Sequence, residues 1–378
     1  MPATRAPRLM QTVLFGAGLL GIGMFGAAAF AQAQRPGVDS HGNVSVPAFV
    51  VPYSAYASPE AQRQFQRMLE QSRHAPGIGS IAASRAYYDG INTDRADRMK
   101  KLYPVKVHAE TVGGVPTDVV LPAQGIAAGQ RHRVLINLHG GAFLWGAHSG
   151  GLVEAIPLAS LGRIKVVSVD YRQGPEHVFP AASEDVEAVY RALLKQYPAR
   201  NIGIYGCSAG GVLTGEAVAR IITKKLPVPG AIGTFCGSIS DLGGDSAYVA
   251  PVLSGDPPPA GPLKLADLPY FKGASASDPL VFPANSPVLL AKFPPTLLIT
   301  GSRDFTLSSV LHSQALLTAA GVDTELHVGR HVAFVLLGPG NARTARGACR
   351  GGAFLRPTAG APTVFAPQRG AGYSLLHR

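Results

Sequence analysis

The sequence predicts an α/β fold built on a mostly parallel sheet with helices on both faces. From residue 133 onward, short apolar runs alternate with longer segments of helical periodicity, the pattern of successive strand–helix–strand units. The run at 164–170 is apolar almost throughout, as expected of a parallel strand covered on both faces. The segment Gly206-Cys207-Ser208-Ala209-Gly210 lies between a predicted strand and a predicted helix. A serine between glycines in that place is typical of a nucleophile elbow, a tight turn that exposes the serine hydroxyl.

The N-terminal segment, residues 1–33, is predicted to be a secretory signal. Arg5 and Arg8 precede an apolar run at 13–30, and Ala31 and Ala33 each complete an Ala-x-Ala cleavage pattern. An uncleaved membrane anchor is the alternative, because the run is about long enough to cross a bilayer. The cleavage pattern favours removal, so we expect a secreted or periplasmic protein with no stable membrane span after cleavage.

Residues 34–328 are predicted to form the folded domain. After a Pro/Ser/Gly-rich lead-in, we expect helices at 59–72 and 80–97 and two antiparallel strands at 105–111 and 116–121. The remaining strands are expected at 134–138, 164–170, 201–205, 230–235, 296–300 and 324–328, and the remaining helices at 151–161, 181–197, 212–224 and 307–320. The stretch 241–290, rich in Pro, Gly and Asp, interrupts the alternation. We expect it to form a cap together with residues from about 50 to 100.

The net charge of +11 is concentrated at the two ends of the chain. Arg5 and Arg8 lie in the predicted signal, and 329–378 contains seven arginines and no Asp, Glu or Lys. The rest of the chain is nearly neutral, so the charge gives no reason to expect a nucleic-acid partner.

The three cysteines, Cys207, Cys236 and Cys349, do not have the spacing of a disulfide framework or a zinc site. We expect Cys207 and Cys236 to pack as small apolar residues. Although Cys207 adjoins the serine, the elbow geometry exposes the central residue and not the one before it.

A second glycine motif supplies the oxyanion hole that a serine nucleophile needs. His139-Gly140-Gly141 directly follows a predicted strand and precedes the serine by about seventy residues. Consecutive glycines allow backbone N–H groups to turn toward an oxyanion without a side chain in the way. We predict that Gly140, Gly141 and Ala209 form an oxyanion hole, in which one donor contributes roughly 3–4 kcal/mol to transition-state stabilisation.

Three motifs give the chain a resemblance to the hormone-sensitive-lipase-like family of α/β hydrolases. They are His139-Gly140-Gly141, Asp170-Tyr171-Arg172 followed by Pro175-Glu176-His177, and Gly206-Cys207-Ser208-Ala209-Gly210-Gly211. The similarity runs from about residue 55 to 328, with the motifs in the family's order and spacing. It implies an α/β-hydrolase fold with an eight-stranded sheet and a helical cap, and a carboxylesterase that needs no metal or organic cofactor. Cys207 departs from the family, in which Asp is commoner at this position.

The predicted triad acid is Asp304, in a loop just after the apolar strand at 296–300. Its carboxylate there could accept from a histidine N–H, and it matches the family position of the acid. The structural alternative is a cap on the following helix, a role that Thr306 would serve equally well. Asp278 is a rival acid, but it lies in the interrupting stretch.

The predicted base is His331, which follows the last strand, where the family places its histidine. The residues around His331 differ from the family pattern. His327 is expected on the strand itself, and His139 and His177 belong to other motifs. An alternative hypothesis is that the tail at 329–378, rich in Arg, Gly, Ala and Pro, is read out of frame. In that case His331 is a chance neighbour and the true base is absent.

The sequence therefore predicts a serine hydrolase that cleaves carboxylic esters of short to medium acyl chains through an acyl-enzyme intermediate. Ser208 attacks the carbonyl carbon of a small-molecule ester, His331 transfers the proton and Asp304 orients the imidazole. The alternative is a catalytically impaired or non-catalytic binding protein on the same fold.

Overall fold

The computed structural model of the chain describes residues 36–76, 79–261 and 263–329. The chain divides into two compact units, residues 1–52 and 53–378. In the described part of the first unit, β1 (Gly37–Val38) and β2 (Val44–Ser45) pair antiparallel. The predicted signal at 1–33, His331 and Cys349 lie outside the described residues. Within the described ranges, no helix is both long and apolar enough to cross a membrane.

The second unit contains one eight-stranded sheet. Its strands are β3 (Val105–Val112), β4 (Val115–Pro122), β5 (Val134–Leu138), β6 (Lys165–Val169), β7 (Ile202–Cys207), β8 (Ala231–Phe235), β9 (Thr296–Gly301) and β10 (Thr324–Gly329). Their order is β10-β9-β8-β7-β5-β6-β4-β3. β4 pairs antiparallel with β3 and β6, and all other neighbours are parallel. The predicted mostly parallel, eight-stranded sheet is confirmed.

Helices cover both faces of this sheet, as predicted. They are α1 (Pro59–Arg73), α2 (Ile81–Leu102), α3 (Ser149–Gly162), α4 (Ala181–Leu194), α5 (Ala209–Thr223), α6 (Ser246–Leu253), α7 (Pro287–Leu290) and α8 (Leu307–Ala319). Because successive strand residues point to opposite faces, Ile136 belongs to a core with α4, α5 and α8, and Leu135 to a core with α2 and α3. The sheet is thus buried on both sides, which explains its continuous apolar strands.

The second helix, α2, extends five residues beyond its predicted end at residue 97. Ala96 and Met99 are buried in the core that α2 shares with α3, so tertiary burial extends the helix to Leu102. The first helix begins where its cap indicates, because the Ser58 hydroxyl accepts from the Ala61 N–H at 3.2 Å.

The stretch 241–290 packs against the body of the domain. Tyr270 stacks on Phe143 with ring centroids 4.5 Å apart, and its hydroxyl oxygen accepts from the Ala182 N–H at 3.0 Å. Both Tyr270 and Phe271 are fully buried in the core next to α4 and α5. These aromatic side chains anchor the stretch to the sheet's α4–α5 face.

Candidate active site

Ser208 occupies a strained turn between β7 and α5. Its φ of 56° and ψ of −122° lie in a region that non-glycine residues rarely adopt. The turn is held to the neighbouring strand, since the Ser208 N–H donates to the Phe235 carbonyl at 2.8 Å. Gly210 must lack a side chain, because a Cβ there would overlap the Leu138 carbonyl oxygen of β5. Ser208 is partly exposed while Cys207 is buried, which is the geometry predicted for a nucleophile elbow.

The loop after β5 comes close to this serine. A Cβ on Gly140 would lie 2.9 Å from the Cys207 carbonyl oxygen and 3.3 Å from the Ser208 Cβ, so only glycine fits. The Gly140 N–H, however, donates to Glu154 Oε1 at 2.9 Å. In this structure the Gly140 N–H is thus occupied by Glu154, and the contribution of Gly140 to an oxyanion hole stays a prediction.

The other two predicted oxyanion donors are the backbone N–H groups of Gly141 and Ala209. Within the described part of the chain, the N–H groups of Gly141 and Ala209 have no hydrogen-bond acceptor. Ala209 is the first residue of α5, where the N–H has no partner within the helix and the helix dipole favours negative charge. Gly141 and Ala209 remain the candidate oxyanion donors.

Glu154 on α3 is a buried acid that the sequence analysis did not single out. Besides the Gly140 N–H, it accepts from Asn137 Nδ2 at 3.0 Å. Burial raises the pKa of Glu154 to about 8, and these hydrogen bonds only partly oppose the effect. The signal in the sequence was an acid within an otherwise apolar helical segment. Glu154 ties the glycine loop to α3 and is mostly uncharged at neutral pH.

Asp304 lies where the sequence analysis expected it, in the loop after β9. It is buried, and its Oδ1 accepts from the N–H and the hydroxyl of Thr306, each at 2.9 Å. The next residue, Phe305, lines a cavity together with Ser208. Asp304 therefore sits directly beside the wall of that cavity.

The last described strand, β10, ends beside the loop that carries Asp304. Gly329, the last residue of β10, pairs with Gly301 of β9 and accepts from the Ser302 N–H at 2.8 Å. The chain at Gly329 is thus next to the loop that carries Asp304. His331 itself lies outside the described residues.

The rival residues have other roles. The Asp278 carboxylate accepts from the Leu280 N–H at 2.8 Å, within a local turn. His139 is buried, stacks on Tyr171 at 4.2 Å, and has its pKa lowered to about 4 by burial, so it is neutral. His327 is half exposed on β10, with Nε2 2.6 Å from Glu325 Oε1.

A cavity of about 410 Å³ opens beside Ser208. Two walls come from α1 and α2, and the floor from the glycine loop and α3. Tyr88 of α2 stacks on Trp145 with ring centroids 4.7 Å apart, which gives the cavity an aromatic wall. Of the described residues, none from 241–290 lines this cavity, and the expected contribution of that stretch to a cap stays a prediction. The part of the predicted cap that reaches the cavity is its N-terminal helices.

An ion pair fixes α2 over the glycine loop. Arg85 donates to both carboxylate oxygens of Glu176 at 2.7 Å, and also to the carbonyls of Leu144 at 2.8 Å and Gly174 at 2.9 Å. The hydrogen bonds from Arg85 lower the pKa of Glu176 to about 2. Glu176, part of a motif noted in the sequence, therefore anchors the cap helix.

Cys207 and Cys236 form a disulfide, so the expectation that they pack as separate apolar residues is wrong. Parallel pairing of β7 with β8 places Cys207 opposite Phe235, next to Cys236. Both cysteines are buried at the end of the sheet where Ser208 lies. The spacing of 29 residues along the chain gave no sign of this pairing, which the sheet register produces.

One group of side chains in the described residues has the composition of a cation site. His148 Nδ1 lies 2.7 Å from Asp118 Oδ2 and 3.5 Å from Asp170 Oδ2. The hydrogen bond to Asp118 raises the pKa of His148, because a neighbouring carboxylate favours the protonated imidazole. None of the three lines the cavity beside Ser208.

Comparisons with known proteins agree on one family. A model of the alpha/beta hydrolase fold family matches residues 135–337, more than half of the chain. The chain is 32% identical over 295 residues to the carboxylesterase NlhH of Mycobacterium tuberculosis, a match that covers 68% of this chain and 88% of that protein. It is 32% identical over 216 residues to an acetyl-hydrolase of Streptomyces hygroscopicus, covering 54% of this chain and 65% of the relative, which is less than two thirds of its length.

A solved structure gives the same result. An esterase from the bacterial hormone-sensitive lipase family superposes with a TM-score of 0.64 at 27% identity, covering 77% of this chain and 96% of the other. The family match also runs past Val328, where the motif-based resemblance ended, and includes His331.

Proposed function

This chain belongs to the α/β hydrolase fold family, in its hormone-sensitive-lipase-like branch, and from that membership we propose that it is a serine hydrolase of carboxylic esters. The observation that carries the proposal is Ser208, exposed by a strained turn on the wall of a cavity that Gly141 also lines. The names of the relatives, acetyl-hydrolase and carboxylesterase, support the same chemistry.

In the proposed reaction, the Ser208 hydroxyl attacks the ester carbonyl carbon while His331 accepts its proton. The N–H groups of Gly141 and Ala209, and the N-terminus of α5, stabilise the negative oxygen of the tetrahedral intermediate. His331 returns the proton to the departing alcohol, and water then releases the acid from the acyl-enzyme by the same steps. Asp304 holds the imidazole in the tautomer that this transfer needs.

The size of the cavity beside Ser208, about 410 Å³, supports esters of short to medium acyl chains as substrates. Hydrolysis of 4-nitrophenyl esters from acetate to palmitate tests this directly. We expect kcat/KM to be highest between acetate and hexanoate and at least about tenfold lower for palmitate, because a cavity of about 410 Å³ should accommodate a short acyl chain more completely than a long one. Strong interfacial activation on emulsified triolein would contradict the assignment. Failure of a fluorophosphonate probe to label the protein would favour the non-catalytic alternative.

Asp304→Asn is expected to lower kcat by roughly 10⁴-fold with little change in fold, because the amide favours the wrong imidazole tautomer. The kinetics of 4-nitrophenyl butyrate hydrolysis check this. Asp278→Asn is the matched control, since Asp278 makes only a local turn contact, and it should keep wild-type turnover. Equal losses in the two variants would mean that Asp304 has no special role.

A further inference from the structure

The cavity beside Ser208 contains a cation that ester hydrolysis does not require. Arg95 of α2 lines the cavity together with Tyr88, Ile91 and Asn92. These positions follow the i, i+3, i+4, i+7 spacing of one helix face, the face toward the cavity beside Ser208. Arg95 is partly buried there.

The guanidinium of Arg95 has a neutral partner. Its Nη2 donates to Gln71 Oε1 of α1 at 3.0 Å. In the parts of the chain that the structure describes, no carboxylate lies within ion-pair distance of it. Burial, and then the neighbouring Arg98, lower the pKa of Arg95, which shows that its surroundings disfavour a positive charge. Arginine nevertheless stays protonated in proteins.

Arg85, about three turns earlier on the same helix, is an arginine whose hydrogen-bond donors all have strong acceptors nearby. Its planar fork is filled by the two oxygens of Glu176 and by two backbone carbonyls. Arg95 carries the same five donors, and a single amide oxygen takes one of them. Arg85 therefore has a structural role in holding α2, whereas Arg95 lines the cavity with most of its hydrogen-bond donors still available to a ligand.

No acid in the described lining of the cavity balances this charge. Glu154 is the one carboxyl group there, and it is held by Gly140 and Asn137 with a pKa raised to about 8. The cavity is therefore positively charged at neutral pH. A neutral ester would cover Arg95 without pairing it, at a desolvation cost, whereas a carboxylate would form a bidentate, charge-assisted pair.

We propose that Arg95 binds a free carboxylate of the substrate, so that the preferred esters are monoesters of dicarboxylic acids. The inference rests on the proposed ester hydrolase function and specifies its substrate class. The reaction is the same hydrolysis: water cleaves the acyl–oxygen bond, and the second carboxylate stays unchanged on Arg95.

The test compares two acyl chains of equal length, mono-4-nitrophenyl adipate and 4-nitrophenyl hexanoate, which differ in a terminal carboxylate or methyl group. We expect kcat/KM of the wild-type enzyme to be about 10- to 100-fold higher for the adipate ester. Arg95→Gln should remove that preference, mainly through KM, and Arg95→Lys should keep part of it. Arg98→Gln, which removes an exposed charge outside the cavity lining from the same helix, should leave the ratio unchanged.

The outcomes separate the two levels of the proposal. Turnover of hexanoate with no preference for adipate in the wild type, or an equal loss on both esters in Arg95→Gln, overturns the anion site and leaves the esterase standing. An adipate preference that survives in Arg95→Gln also overturns it. If neither ester is hydrolysed, the ester hydrolase function and the substrate class fall together.

Discussion

Replacing Ser208 by alanine is expected to lower kcat on 4-nitrophenyl butyrate by roughly 10⁵- to 10⁶-fold while the protein remains folded. The loss follows because the hydroxyl is the nucleophile, and without it water must attack the bound ester directly. The fold should survive because serine already has a Cβ in this turn, so alanine adds no strain at a φ of 56°. Stopped assays at high enzyme concentration measure the activity, and circular dichroism measures the fold.

The matched control for this variant is the neighbouring residue. Cys207→Ser should retain turnover at 25 °C, because the Cys207 side chain is buried and bonded to Cys236, so it is not the nucleophile. Its free energy of unfolding should fall by about 3–4 kcal/mol, because the disulfide restricts the unfolded chain by closing a loop between Cys207 and Cys236. If Ser208→Ala keeps normal turnover, or if Cys207→Ser is the inactive variant, the nucleophile has been misassigned.

His331→Ala is expected to lower kcat by roughly 10⁵- to 10⁶-fold, as large a loss as removal of the nucleophile, because the two residues act as a unit. Two observations support His331 as the base. The family match extends to residue 337, and Gly329, two residues before His331, pairs with Gly301 beside the Asp304 loop. The pH dependence of kcat/KM should lose its acidic limb in the variant, because that limb reflects protonation of the imidazole base, and a purely structural role would not remove it.

His327→Ala is the control for that experiment. His327 is half exposed on β10 and contacts Glu325, so its replacement should leave turnover near the wild-type value. Normal activity in His331→Ala would show that the base is another group. Resequencing the gene across codons 328–378 then tests whether the tail is read out of frame. An unbroken frame with an inactive His331→Ala variant would refute that hypothesis.

The sheet strands and the nucleophile turn could be predicted from the amino-acid sequence. Parallel strands buried on both faces require continuous apolar runs, so the strands at 134–138 and 296–300 were located within a residue of their observed bounds. The elbow was equally readable, because close backbone packing at Gly210 excludes every other residue. These features depend on local constraints that are written into consecutive residues.

The groups that meet around Ser208 could be identified only in the folded structure. Glu154 takes the Gly140 N–H, Cys207 pairs with Cys236, and these contacts arise from helix packing and strand register over 14 and 29 residues of chain. In the same way, α1 and α2 line the cavity while the 241–290 stretch packs elsewhere, because buried aromatic contacts such as Tyr270 with Phe143 hold it against the body. Arg85 and Arg95 cannot be told apart in the sequence. The structure distinguishes them, because Arg85 pairs with Glu176 whereas Arg95 lines the cavity. Such long-range contacts leave no periodic pattern in the sequence.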